Sequence, residues 1–147
     1  MPAATLAKFG YPATLIGETE HWIVLLRPQQ VTLGSLVLVC REPVTRFGDV
    51  SPAAFAGMHD AVHRIETILR EFVRYEKVNY LMLMMVDPDV HFHVIPRYAS
   101  ERLHLGRSFP DVGWPGPPAL GQAVEPEAAV RDDMLVRLRS SWGAAGA

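Results

Sequence analysis

The chain has 147 residues, 49% of them hydrophobic, and a formal net charge of −2 at pH 7. That describes one domain with enough apolar side chains for its own core, and its charge balance excludes a general nucleic-acid surface, so any anion site must be local. The single cysteine, Cys40, excludes an intrachain disulfide and a multi-cysteine zinc site within one chain.

The first ten residues lack a basic region followed by an apolar stretch, and the longest apolar run, Tyr80 to Val86, is too short to span a bilayer. The expectation is a cytoplasmic protein with no membrane or nucleic-acid partner. Ala13 to Ile16 and Trp22 to Leu26 are short apolar runs separated by Gly17-Glu18-Thr19-Glu20, as in a hairpin. Leu36 to Cys40 follows as a third, β-branched-rich strand, with Cys40 a small buried residue at its end.

From Ser51 the period changes. Phe55, Met58, Val62, Ile65, Leu69 and Phe72 recur every three or four residues, Ser51 suits an N-cap and Pro52 the first helical position. The spacing predicts a long amphipathic helix. Val78 to Val86 then reads as a strand covered on both faces, with its methionines as core filler and a second subunit as one possible cover. Asp87-Pro88-Asp89 makes a short turn into the next strand. Gly106 to Gly121, which contains Trp114 and four prolines, predicts an irregular surface segment with Trp114 as a packing anchor. Glu127 to Leu138 predicts a helix and Gly143 to Ala147 a frayed tail. The whole reads as a single α+β domain, residues 1–147, with an antiparallel sheet of about five strands.

The most informative stretch is Asp89-Val90-His91-Phe92-His93-Val94-Ile95-Pro96-Arg97. On a strand, alternation puts Val90, Phe92 and Val94 towards the core and Asp89, His91, His93 and Arg97 on the other face, the two histidine Cα atoms roughly 6.5–7 Å apart. That spacing suits one phosphate or one metal. A histidine of ordinary pKa, about 6.5, is largely neutral at pH 7 and has a free ring lone pair, so it can act as a nucleophile.

His91-Phe92-His93-Val94-Ile95-Pro96-Arg97 resembles the histidine triad (HIT) motif, and the likeness extends upstream through Leu33-Gly34, Pro43-Val44-Thr45-Arg46-Phe47, Asp49 and the long helix, over roughly residues 10 to 98. The Val-Leu-Val-Cys and Pro-Val-x-Arg-Phe segments are similar to those of the fragile-histidine-triad branch, which hydrolyses dinucleoside polyphosphates. The resemblance implies a HIT-like fold, a homodimer, a nucleotide or dinucleotide substrate, no cofactor, and attack by the middle histidine on the α-phosphate. His91 holds that middle place and His93 the third, as a phosphate contact. Asp89 stands where the family has its first histidine, as a candidate to orient His91. Arg97 and His93 would neutralise phosphate charge. Arg27 falls where the hydrolase branch has an asparagine touching the nucleotide, and Asp87 lies in the shortened loop that should border the substrate. Ser35 replaces a supporting histidine and reads as a satisfied structural serine.

Two other readings remain open: a dimeric nucleotide-binding module with little catalysis, and a metal site on Asp89, His91 and His93. Against the latter, the outer Cα atoms of a straight strand would be roughly 13 Å apart. His21, His59, His63 and His104 show no credible spacing to a carboxylate or cysteine.

Overall fold

The computed structural model describes residues 1–146. Its centre is a five-stranded antiparallel sheet in the order β1-β2-β3-β5-β4, formed by β1 (Leu15–Glu18), β2 (Trp22–Leu26), β3 (Leu36–Cys40), β4 (Lys77–Leu81) and β5 (His91–Arg97). The expected α+β architecture is present. The hairpin turn lies later than expected: β1 continues through Glu18, and the Thr19 hydroxyl accepts the Trp22 amide at 3.2 Å.

Two helices cover one face. Helix α2 (Pro52–Val73) starts where the sequence says, with Ser51 Oγ accepting the Ala54 amide at 3.1 Å, a cap worth about 1 kcal/mol. Its buried line is Ala54, Ala61, Ile65, Ile68, Leu69 and Val73. The expected apolar stripe faces the core at Met58, Val62, Ile65, Leu69 and Phe72, and only Phe55 of it stays exposed. Helix α3 (Ala128–Ala145) inserts Met134, Leu138 and Trp142 into the same core. It runs well past Leu138, so the expected frayed tail is helical through Ala145; Ala147 lies outside the described residues.

The opposite face is covered by an element absent from the sequence expectations. Helix α1 (Ala3–Lys8), with the following Phe9, lays Leu6 and Phe9 over Ile23, Leu25, Val37 and Val39. A further hairpin, β6 (Arg102–His104) with β7 (Arg107–Phe109), lies in the C-terminal region, where Phe109 is fully buried. The rest of residues 110–121 is irregular, as expected.

One expectation fails at the centre of the fold. Strand β4 ends at Leu81, and residues 82–90 form a loop rather than a continuing strand and a tight turn. Met84 adopts a left-handed φ of 55°, a conformation incompatible with a continuing strand. Met82 and Met84 still touch the core, but Met85 is 86% exposed and Val86 79%. No helix is long and apolar enough to cross a membrane among the described residues.

Candidate active site

Strand β5 lies between β3 and β4, and its register fixes which face each histidine takes. His91 is paired with Val39 and His93 with Val37. Cross-strand partners share a face, so both imidazoles lie on the Val37/Val39 side, beneath α1, while Val90 and Val94 join the core on the other. The predicted parity holds. The rings contact each other at 5.3 Å between centroids, and Phe9 contacts His91 at 5.8 Å and His93 at 5.7 Å. His91 is only 2% exposed and His93 9%.

The His91 ring is held by a backbone group. Its Nδ1 lies 2.7 Å from the carbonyl oxygen of Asp89. A carbonyl can only accept, so Nδ1 carries the proton and Nε2 keeps its lone pair.

The carboxylate of Asp89 does something else. Strand β5 begins at His91, which leaves Asp89 outside the alternation, and its Oδ2 accepts the Thr5 hydroxyl at 2.8 Å and the Thr5 amide at 3.3 Å. The expected catalytic carboxylate beside His91 is therefore corrected: Asp89 reaches α1, and only its carbonyl reaches the ring. The metal reading loses a ligand for the same reason, and no group of three or more His, Cys, Asp or Glu residues among those described is arranged to hold an ion.

His93 is controlled by Arg27. The Nε of Arg27 donates to His93 Nδ1 at 3.3 Å, which places the His93 proton on Nε2. Burial, the Arg27 charge and His91 together push the His93 pKa down to about 4, against an opposing pull from Asp87. His93 is thus a neutral donor at neutral pH, and the cation beside it is Arg27. Its guanidinium also donates to the Gln29 carbonyl, and burial lowers its pKa.

His91 and His93 open into a cavity of about 230 Å³ lined also by Phe9, Arg27, Asp87 and the apolar residues 83–86. Asp87 pairs with Lys8 at 3.4 Å. Lys8, Phe9 and the 83–86 segment were missed in the sequence. The only available signal was the pairing of Leu6 and Phe9 at i, i+3 in an alanine-rich stretch.

Arg97 is not brought to the histidines. Its guanidinium donates to both Asp111 carboxylate oxygens at 2.7 and 3.1 Å, to Asn79 Oδ1 at 2.8 Å and to the Gly116 carbonyl at 2.8 Å. All this lies at the far end of β5, so the expected phosphate contact is corrected to a buried structural ion pair. Ser35 is structural as expected, its Oγ donating to the Thr32 carbonyl at 2.8 Å. His104 does have a carboxylate partner, Asp133 of α3 at 2.8 Å, which only the fold brings near. His59 and His63 stack along the surface of α2.

The HIT domain pattern matches residues 8–100. The chain belongs to the HIT domain family. Among solved structures it is similar to a histidine triad (HIT) protein from Sinorhizobium meliloti, with a TM-score of 0.73 and 21% identity over 94% of this chain and 93% of that one. A histidine triad protein from Bradyrhizobium japonicum gives a TM-score of 0.69 and 22% identity, over 88% and 91%. A zinc-bound histidine triad family protein from Mycobacterium smegmatis gives 0.65 and 20%, over 97% and 92%. At these identities the likeness is one of fold. Membership of the family supports nucleotide-binding hydrolase or transferase activity in general.

Proposed function

We propose that this protein is a homodimeric hydrolase or nucleotidyl transferase acting at the α-phosphate of a nucleotide, through a covalent intermediate on His91. The observation that carries this reading is the 2.7 Å contact between His91 Nδ1 and the Asp89 carbonyl, which leaves the Nε2 lone pair available beside the cavity. In the first step Nε2 attacks phosphorus, a P–N bond forms, and the bond from phosphorus to the leaving group breaks with its electron pair departing. Water then attacks phosphorus, the P–N bond breaks, and the electron pair returns to Nε2 while the water proton goes to solvent. Another acceptor in place of water makes the reaction a transfer.

Arg27 supplies positive charge to the phosphate oxygens, and the Nε2–H of neutral His93 supplies a hydrogen bond. Asp87 and Lys8 border the substrate as a pair. Dinucleoside polyphosphates are one substrate candidate, through the resemblance of the Pro43-to-Asp49 segment to the fragile-histidine-triad branch. The open outer edge of β4 is the place where a second copy would extend the sheet.

The test is intact-protein mass spectrometry of wild type and His91→Ala after brief acid-free quenching with a panel of adenylyl and guanylyl compounds, read with product formation. A nucleotidyl increment present only in wild type supports the reading. Neither adduct nor product with any compound rejects it in favour of a binding module.

A further inference from the structure

Helix α1 does not contain what it needs to stand alone. Six residues are far fewer than the roughly 12–15 at which an isolated helix becomes even marginal. Pro2 precedes it with no side-chain cap, and its first turn carries no acidic residue. The missing cap comes from the other end of the domain core, where Asp89 Oδ2 accepts the amide and hydroxyl of Thr5, 84 residues away in sequence. One turn later Phe9 closes against both imidazoles. The second tie, Lys8 with Asp87, is weaker, since the lysine side chain is 51% exposed and such pairs contribute about 0–1 kcal/mol.

We propose that Asp89 is a positioning residue: its carboxylate fastens α1 and Phe9 over the histidine face and so keeps that face covered. This rests on the reading of the site given above. The groups that face His93 are Arg27 from the end of β2, His91 on its own strand, Asp87 from the 82–90 loop and, paired with Asp87, Lys8 from α1. Burial is the largest influence on His93, and Phe9, which directly follows α1, packs against its ring at 5.7 Å. Releasing α1 admits water beside His93 while leaving Arg27 and His91 in place. The replacement of a triad histidine by Asp89 then exchanges one imidazole for a tie to the helix that shields the other two.

The experiment is ring-nitrogen NMR of the histidines across pH, without substrate, on wild type, Asp89→Ala, Asp89→Asn and Thr5→Val, together with amide exchange of α1. Asp89→Ala is expected to raise the His93 midpoint by about one unit or more and to remove protection from α1. Asp89→Asn keeps an oxygen acceptor for Thr5 and restores most of the wild-type titration. Thr5→Val, which removes one donor and leaves the amide, is expected to fall between the two and decides the matter if Asp89→Ala does not fold. A His93 titration that is unchanged in the folded variants overturns the proposal, whatever the exchange of α1. With a chromogenic adenosine 5′-phosphoramidate as probe, Asp89→Ala should lose about tenfold in kcat with a smaller change in KM. A rise in KM at constant kcat counts against positioning. Because the NMR experiment contains no nucleotide, failure to find a nucleotidyl-His91 adduct rejects the reaction and not this role, and an unchanged titration does the reverse.

Discussion

The Nε of Arg27 donates to the Nδ1 of His93 across 3.3 Å, so that a half-buried cation of the cavity also selects the tautomer of its neighbour. Arg27→Gln should raise KM for a nucleotide substrate by about ten- to a hundredfold, because both the phosphate's cation and the orientation of His93 are lost. Arg27→Lys should not restore it, since an ammonium lacks the planar fork that serves His93 and the Gln29 carbonyl together. Steady-state kinetics of the two variants check this; full recovery with lysine would reduce Arg27 to a point charge.

His91→Ala should lower kcat by at least about a thousandfold, read on protein shown to be folded because loss of this buried ring also leaves a cavity beside Phe9 and His93. The smaller His91→Gly variant leaves a space for exogenous imidazole, which should recover part of the rate. Rate against added imidazole, with His93→Gly as the control that shows no recovery, checks the assignment of the nucleophile.

The depressed pKa of His93 links the site to stability. The unfolded chain takes up this proton near pH 6.5, whereas the folded protein resists it until about pH 4. Stability contributed by neutral His93 is therefore complete above about pH 6.5, falls as pH drops through the interval, and is gone below about pH 4. The full change is on the order of 3 kcal/mol. Denaturant unfolding at pH 7 and pH 4.5 captures most of it, and His93→Asn should flatten the dependence in that window.

Arg97 should report on folding rather than on substrate. Its partner Asp111 is only 1% exposed, and Arg97→Ala leaves that carboxylate buried without its cation, a loss of about 3–5 kcal/mol. KM in whatever protein remains folded should be near that of wild type. A selective rise in KM with unchanged stability would return Arg97 to the substrate.

The residues that were legible in the sequence are those whose neighbours in sequence determine them. The faces of His91 and His93 follow from alternation along one strand, and α2 announces itself through Ser51 and Pro52. Helix α1 is different, because its cap lies on Asp89 and its apolar partners on β2 and β3, so no local pattern specifies it. Leu81 to Val86 misled for a related reason. A run of apolar residues reads as a buried strand, but the ladder ends at Leu81, Met84 turns left-handed, and residues 83–86 become the wall of a cavity. Arg97 shares the parity of the histidines, and only the return of the irregular segment at Asp111 and Gly116 shows where its guanidinium goes.

Strand β5 is hydrogen-bonded on both sides, by β3 and by β4, whereas α1 belongs to no sheet and is tied to the 82–90 loop through Thr5–Asp89 and Lys8–Asp87. Amide exchange ranks such parts differently: a doubly paired inner strand opens only near global unfolding, and peripheral elements open at far lower free energy. On that principle the two imidazoles are mounted on an inner strand expected to open late and roofed by elements expected to open early. A substrate of the proposed kind would enter and leave through this roof, and substitutions at Lys8 or Leu83 would adjust its opening without removing the Thr5–Asp89 tie.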